Sequence, residues 1–289
     1  MNFIIGALTA IFCTLVTYAL EGGRMEVLAE AAPAELVIIM GTIVGGYIIA
    51  NPNIVIKRTM KSLKLLFKKP RYNKESYVEL LSMMYQVFKM AKTKGMLTLE
   101  QHIDHPHESS LFGPFPMFLS DHHVVDFFTD YLRLVTLGAD KPYEIEALMD
   151  AEIEVHHAEM NAVSGSIITV ADGLPAVGIV ACVLGVIKTM GAIAEPPEVL
   201  GRMIGGALVG TFMGVWTSYG FVGPMGNSLK QILEAESVYF DCMKVGLLAH
   251  LQGCAPSVSI EYARKTLLTN VRPSFAEIEE ATQALPAPG

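Results

Sequence analysis

The sequence predicts an all-α membrane protein with four transmembrane helices and a helical cytoplasmic domain. Of its 289 residues 52% are hydrophobic and only 17% are charged, which is too apolar for a typical soluble domain. Four apolar runs have about the length that a bilayer-crossing helix needs. The other segments repeat their apolar residues with the period of an amphipathic helix and show no convincing strand pattern. The net charge of -8 argues against nucleic acid as a general partner.

The first span is predicted at residues 1–20. These residues are apolar from the start and have neither the basic segment nor the small-residue cleavage site of a removed signal peptide. Between Glu21 and Glu35 the chain carries four glutamates against one arginine, with glycine and proline among them. We therefore expect a short acidic loop outside the cytoplasm.

The second span is predicted at residues 36–50. Its Gly41 and Gly45 form a GxxxG pattern, which allows another helix to approach closely. Between Asn51 and Lys94 there are eleven lysines and arginines but only two glutamates. Because basic residues next to a span stay in the cytoplasm, we expect both chain termini there, and the later pair of spans must leave and return.

Amphipathic helices are predicted for the segments outside the spans. Residues 76–95 should form one helix, because their last residue is a glycine and stops a helix well. Thr98 is expected to cap the next helix, which has an acidic residue in its first turn. Further amphipathic helices are predicted at 123–138 and 142–163, and a helix from Gly226 could extend the fourth span into the cytoplasm.

The chain is therefore expected to divide into four segments. Residues 1–51 hold the first two spans with a short periplasmic loop, 52–165 the cytoplasmic helical domain, 166–225 the third and fourth spans, and 226–289 a cytoplasmic C-terminal helical tail. The third of these segments carries more polar and small residues than a membrane anchor needs. They are Asp172 and Pro175 in the third span, and Gly206, Gly210, Thr211, Gly214 and Pro224 in the fourth.

The glycines and prolines of these spans predict how the helices pack and bend. Gly206, Gly210 and Gly214 recur every four residues and share one helix face, which favours close packing within or between subunits. Pro175 and Pro224 each remove a backbone donor, and each either bends a helix near the cytoplasmic side or marks its end.

Ionisable residues inside a membrane are costly and are therefore functional candidates. We expect none at mid-depth in the first, second and fourth spans. In the third, Asp172 lies close to the cytoplasmic boundary and Lys188 near the outer one, where its stem can reach the interface. Asp172 either belongs to an ion path or bonds a neighbouring helix, and the Thr211 hydroxyl either lines such a path or bonds its own helix. If the chain helps to move a cation, a partner must supply the mid-membrane carboxylate.

The sequence contains no recognisable motif for an enzyme active site or a metal site. Cys13, Cys182, Cys242 and Cys254 show no CxxC spacing, and the side chains of adjacent histidines diverge on a helix. No nucleophile elbow, P-loop, dinucleotide fingerprint or HExxH motif occurs. We expect neither an enzyme nor a bound cofactor or metal.

Longer segments carry a family resemblance. The most specific are EIEALMD at 144–150 and DGLPAVGIV at 172–180. The others are PAELVIIMG, GMLTLEQHI, DYLRLVTLG, LVGTFMGVW, YGFVGP and RKTLLTNVRPSF. In this order and spacing, which cover nearly the whole chain, they resemble the MotA family of stator subunits of the bacterial flagellar motor.

The resemblance implies a multi-pass protein of the bacterial inner membrane. Five copies would form a ring around two copies of MotB, whose transmembrane aspartate carries the translocated ion, in agreement with the carboxylate that this chain is expected to lack. Ion flow would drive flagellar rotation, and so serve chemotaxis, through contact with the rotor protein FliG. The lipid bilayer, MotB, FliG and further copies of this chain are thus the implied partners.

The functional positions of the family fall on particular residues of this chain. The prolines that couple protonation to movement correspond to Pro175 and Pro224, and a hydroxyl near the ion path corresponds to Thr211. The charged contacts to FliG correspond to Lys92 and Glu100. Enteric relatives have arginine in place of Lys92, and lysine keeps the charge but loses the planar fork of arginine.

The prediction of the coupling ion depends on Cys182. Sodium-driven relatives have threonine at this position, and a thiol is a poor ligand for a hard cation that prefers oxygen. The sequence therefore favours protons, with a sodium-driven stator as one alternative. Another is an energiser of the ExbB/TolQ type, which has three spans rather than four. A channel acting alone would need intramembrane charges or broken helices, which we do not expect.

Overall fold

The computed structural model describes residues 2–68, 71–139 and 141–285, and this part of the chain is helical without any strand. The all-α fold class is therefore confirmed. The helices are α1 (Phe3–Leu20, a continuous stretch that includes a π-helical turn), α2 (Met25–Ala50), α3 (Asn53–Ser62), α4 (Lys74–Lys94), α5 (Glu100–Asp104), α6 (Pro116–Leu119), α7 (His122–Thr136), α8 (Pro142–Met190), α9 (Pro197–Thr217), α10 (Gly223–Leu251), α11 (Pro256–Lys265) and α12 (Phe275–Gln283). Short 3-10 helices lie at Leu63–Phe67, Met96–Leu99 and Pro106–Glu108, and π-helical turns lie at Phe12–Val16 and Ser218–Val222.

Four helical stretches of the described chain are long and apolar enough to cross a membrane. They are α1, α2, α8 and the stretch Pro197–Leu251, which joins α9 to α10. Their most apolar windows have mean hydropathies from 1.4 to 2.2. The four predicted spans are confirmed. The predicted extension of the fourth span is confirmed as well, because α10 follows the π-helical turn without a break.

The chain folds as two compact units. The membrane unit comprises Met1–Lys69 and Glu159–Ile232, and the helical unit comprises Pro70–Ala158 and Leu233–Gly289. One boundary falls inside α8, because the amphipathic helix predicted at 142–163 and the third span form a single helix of 49 residues. The junction contains no proline, and one interior glycine costs only about 1 kcal/mol, which is too little to end a helix.

The predicted acidic loop outside the cytoplasm is wrong from Met25 onward, where α2 begins. Gly22, with a φ of 80°, turns the chain after α1, and the alanines and glutamates that follow favour a helix. Pro33 lies inside α2 without ending it. Glu35 is therefore about 15 Å along this helix, and only 8% of it is exposed. The prediction that the second span has no ionisable residue at depth is wrong for Glu35.

Both ends of α4 are fixed by local interactions. Asn73 and Ser76 form a reciprocal capping box at its start, and α4 ends, as predicted, at Gly95 with a φ of 88°, a conformation that favours glycine. The predicted cap at Thr98 is wrong. Its hydroxyl donates to the carbonyl oxygen of Lys94 at 3.0 Å, and a 3-10 turn leads into α5.

In the membrane unit, α2, α8 and α9 pack around a small apolar core. Ile39, Leu174 and Ala181 are its buried members. The indole nitrogen of Trp216, on α9, donates to the hydroxyl oxygen of Thr14 at 3.2 Å and so attaches α1. Three helices, α2, α8 and α9, thus form the packed centre of the membrane unit. Some polar side chains of these helices lie next to their contacts.

The helical unit is organised around α4, which contacts α6, α11 and α12. Tyr72 stacks on Tyr239 with ring centroids 4.1 Å apart, and Arg71 pairs with the buried Asp121 at 2.9 Å. Asp121 also caps α7 by accepting from the backbone nitrogen of His123 at 3.2 Å. This core fixes the positions of the exposed ends of α4 and α5.

Candidate functional site

Helices α8 and α9 approach so closely that their backbones touch. A Cβ atom on Gly214 would lie 2.7 Å from the carbonyl oxygen of Leu174, and one on Gly178 would lie 2.8 Å from the carbonyl oxygen of Gly210. A side chain does not fit at either position. Gly206 differs, because it faces α2, where the nearest atom would lie at an ordinary 3.5 Å. Of the predicted glycine stripe, Gly210 and Gly214 therefore face α8.

Sequence reasoning missed the α8 side of this contact. Gly178 and Gly185 both face α9, and a Cβ on Gly185 would lie 2.6 Å from the Cβ of Ala207. Their spacing of seven residues places them two turns apart on one face. This spacing is compatible with a helix contact, but it is not specific, because glycine is frequent in membrane helices.

Pro175 lies inside α8 and deprives the carbonyl oxygen of Ala171, four residues earlier, of its helical donor. The hydroxyl of Ser218, in the π-helical turn after α9, donates to this oxygen at 2.6 Å. Ser218 is only 1% exposed, so this hydrogen bond is shielded from water. The proline thus creates a free acceptor on α8, and the fourth span supplies the donor.

Pro224 lies next to this junction. It follows Gly223 at the start of α10, and a Cβ on Gly223 would lie 3.7 Å from the Cβ of Ala171. Pro175 lies inside α8, and Pro224 lies within the continuous helical stretch Pro197–Leu251, so neither proline ends a span. Sequence reasoning missed Ser218, because a serine in a membrane helix commonly bonds its own helix. Only the packing of α8 against the fourth span reveals its partner.

The other predicted ion-path residues are Thr211, Cys182 and Asp172. Thr211 and Cys182 are both half-buried. They lie at one level, because a Cβ on Gly210 would be 3.0 Å from the backbone nitrogen of Cys182. Asp172 is exposed on the membrane unit, about 15 Å away along α8.

A carboxylate that sequence reasoning missed lies at the level of Gly210. Oxygen Oε2 of Glu35 would be 2.7 Å from a Cβ on Gly210, and this oxygen has no hydrogen-bond partner within the described chain. Glu35 borders a cavity of about 270 Å3, which other charged side chains line with it. They are Glu30, Lys188 and Arg202.

The predicted rotor contacts, Lys92 and Glu100, are exposed on the helical unit. Lys92 lies in the last turn of α4 and Glu100 begins α5. Leu97, in the turn between them, is 71% exposed. His102 is buried behind this surface, and burial, together with the positive charge of Lys94, lowers its pKa. His102 therefore adds no charge to this surface at neutral pH.

The described residues contain no group of three or more His, Cys, Asp or Glu side chains that could hold a metal ion. The four cysteines are free thiols. The expected absence of a cofactor stays a prediction.

The fold and these contacts define a class of protein. It is an all-helical membrane protein whose third and fourth spans pack closely at glycines, with polar side chains next to this contact. Comparison with known proteins narrows this class. The chain belongs to the motility protein A family, because residues 4–95 match Motility protein A N-terminal and residues 120–241 match the MotA/TolQ/ExbB proton channel family, and because its likeness to curated members extends over its full length.

Two curated relatives show the extent of this likeness. Motility protein A of Escherichia coli strain K12 is 41% identical over 288 residues, which cover 100% of this chain and 97% of that protein. Chemotaxis protein LafT of Vibrio parahaemolyticus is 32% identical over 97% of this chain and 98% of its own length. The resemblance predicted from the sequence is confirmed.

Solved structures share the fold. A chain of the flagellar MotAB stator complex from Bacillus subtilis superposes with a TM-score of 0.72 at 25% identity, over 96% of this chain and 98% of its own length. A chain of C. jejuni MotAB superposes with a TM-score of 0.75 at 20% identity, over 94% and 98%.

Gly214→Ala should destabilise the protein, because the added methyl group would lie 2.7 Å from the carbonyl oxygen of Leu174. Overpacking of this kind costs about 1–3 kcal/mol. Gly206→Ala is the matched control on the same helix and should be neutral or slightly stabilising, since alanine favours a helix over glycine. Thermal unfolding of the detergent-solubilised protein compares the two. Equal melting temperatures would contradict the backbone contact.

Ser218→Ala should cost about 1–3 kcal/mol, because it leaves the buried carbonyl oxygen of Ala171 without a donor. Pro175→Ala restores a backbone N–H for this oxygen, so Ser218→Ala should cost much less in that background. A double-mutant cycle of unfolding free energies measures the coupling. Additive effects would show that Ser218 does not replace the donor that Pro175 removes.

Proposed function

We propose that this chain is the ring-forming subunit of a proton-driven flagellar stator, which surrounds a MotB partner in the bacterial inner membrane. The observation that carries the proposal is the 41% identity to motility protein A over 288 residues. The likeness to a chain of the Bacillus subtilis flagellar MotAB stator complex, over 96% of this chain, supports it. The subunit acts without enzymatic chemistry and needs no cofactor other than the translocated ion.

Assembly with other chains is supported by the exposure of Asp172. This carboxylate lies in a helix long and apolar enough to cross a membrane, yet it faces outward from the membrane unit. A charge on the surface of a span is costly unless water or another chain meets it, and close to the cytoplasmic boundary both can do so. A ring of five copies around two partner chains, each with a transmembrane aspartate, provides such surroundings.

In the proposed cycle, protonation of the partner's aspartate removes a charge that faces α8 and α9, and the ring then steps. The hydrogen bond from Ser218 to Ala171 joins these two spans at Pro175, so a shift between them strains it. One charge crossing about 100 mV releases about 2.3 kcal/mol. A buried hydrogen bond lost without replacement costs about 1–3 kcal/mol, so a single ion supplies enough energy to disturb this junction.

Torque passes to the rotor protein FliG through Lys92 and Glu100. Their opposite charges, both exposed at adjoining helix ends, support ionic contacts of complementary sign. Exposed ion pairs are worth only about 0–1 kcal/mol each. Weak contacts suit a surface that has to release its partner at every step.

An energiser of the ExbB/TolQ type is the second candidate, because the family matched by residues 120–241 includes such proteins. Two observations favour the stator. Residues 4–95 match Motility protein A N-terminal, and the chain has four candidate spans rather than the three expected for that type.

Expressed with its partner in a bacterium that lacks its own stator pair, the chain should restore swimming. Pro175→Ala should preserve co-purification with the partner but strongly reduce rotation, because α8 regains an uninterrupted run of helical hydrogen bonds. Pro142→Ala, at the first turn of α8, is the control and should swim normally. Normal swimming of Pro175→Ala would refute the coupling role. Failure of the unmodified pair would refute the stator assignment itself.

Swimming speed should be independent of sodium and should fall with a protonophore, because Cys182 offers sulfur rather than the oxygen that a hard cation prefers. Speed measured against sodium concentration at constant ionic strength, with and without the protonophore, separates the two ions. A speed that follows sodium and ignores the protonophore would support the sodium-driven alternative.

A further inference from the structure

Glu35 is a buried carboxylate in the membrane unit, and one of its two oxygen atoms has no hydrogen-bond donor in the described chain. Only 8% of the residue is exposed, and Oε2 has no hydrogen-bond partner within the described chain. A buried polar atom without a partner is costly, and an ionisable group inside a membrane is rare unless it has a function. The cost requires an explanation beyond packing, since an apolar residue would fill the same space without it.

The surroundings of Glu35 fit a small mobile ligand. The carboxylate lies against Gly210, where a Cβ would be 2.7 Å from Oε2, and the same glycine contacts Ala181 and Cys182 of α8. No side chain of these neighbours bonds it. A proton can bind Oε2 without any further ligand, whereas a metal cation would need several oxygen atoms around it.

A cavity connects Glu35 with charged groups on each helix packed around it. It has a volume of about 270 Å3 and is lined by Glu30 of α2, Lys188 of α8 and Arg202 of α9. Lys188 is two residues from the end of α8, and Arg202 is five residues from the start of α9, so both are near the outer ends of their spans. The cavity is large enough to hold water molecules, and it has the polar groups that water needs.

We propose that Glu35 is a proton-binding site of this chain in the outer half of the proton path. A proton from water in the cavity binds Oε2 and converts the carboxylate to a neutral acid. The acid then releases the same proton to the transmembrane aspartate that the proposed partner supplies, and Glu35 returns to the carboxylate. Lys188 and Arg202 stabilise the charged form that accepts the proton, and Glu30 offsets their charge. This path rests on the proposed stator function, whereas the proton binding itself does not.

Rotation at different loads distinguishes this role from a structural one. At near-zero load the speed depends on how fast protons are handled, whereas stall torque depends on the energy released by each proton. Glu35→Gln keeps the size and polarity of the side chain but binds no proton. It should lower the near-zero-load speed by about a hundredfold, the lower end of the range for a positioned acid–base group, and leave stall torque and partner co-purification unchanged.

Two variants complete the rotation experiment. Glu35→Asp retains a carboxyl group and should recover part of the lost speed. Glu26→Gln changes an exposed glutamate of the same helix that does not line the cavity, and it should rotate normally. Normal speed of Glu35→Gln at every load, or equal slowing by Glu26→Gln, would overturn the proposal.

Infrared spectroscopy of the purified complex tests proton binding without rotation. A carboxyl band that appears on acidification should be lost in Glu35→Gln and shifted in Glu35→Asp. If Glu35→Gln does not assemble, the shift in Glu35→Asp decides alone. A titrating band that neither variant alters would overturn the proposal. If the unmodified pair does not rotate the motor but the band behaves as expected, the stator assignment fails and the proton site stands.

Discussion

The backbone contact between α8 and α9 is the constraint on which the other features depend. Helices that carry ordinary side chains at their contact lie about 8–10 Å apart. Gly178 and Gly214 bring these two close enough for backbone atoms to touch. At this separation Ser218 reaches the carbonyl oxygen of Ala171 at 2.6 Å. Residues without side chains thus determine which polar groups can interact, although they take no part in ion chemistry themselves.

Local sequence signals were sufficient for the spans, the fold class and the end of α4, since each of these depends on properties of adjacent residues. The start of α2 was missed, because glutamate, glycine and proline between Glu21 and Glu35 are typical of a loop. Helix propensity of the alanines and packing against α9 override that signal. The neighbours of Gly178, Ser218 and Glu35 could not be predicted, since each neighbour lies on another helix and no local sequence pattern indicates it.

The membrane unit contains two buried hydrogen-bond acceptors, and only one of them has a donor. We assign a structural role to the acceptor that has a donor and a chemical role to the other. The carbonyl oxygen of Ala171 loses its helical donor to Pro175 and is satisfied by Ser218, which is buried with it. Oxygen Oε2 of Glu35 is also buried, but no group of the described chain donates a hydrogen bond to it. The first acceptor is neutral at any pH and serves as a joint between spans. The second belongs to an ionisable side chain, and the proposed ligand for it is a proton.

The arrangement of groups at the level of Gly210 also bears on the proposed ion. A hard cation released from water requires several oxygen atoms at bonding distance to replace its hydration shell. The three atoms nearest to a Cβ on Gly210 are Oε2 of Glu35, the Cβ of Ala181 and the backbone nitrogen of Cys182, and only one of them is an oxygen. A single carboxylate does not complete such a shell. A proton requires a single lone pair and leaves no gap in coordination. The single oxygen among these nearest atoms therefore fits a proton better than a hard cation, for the same physical reason as the thiol of Cys182.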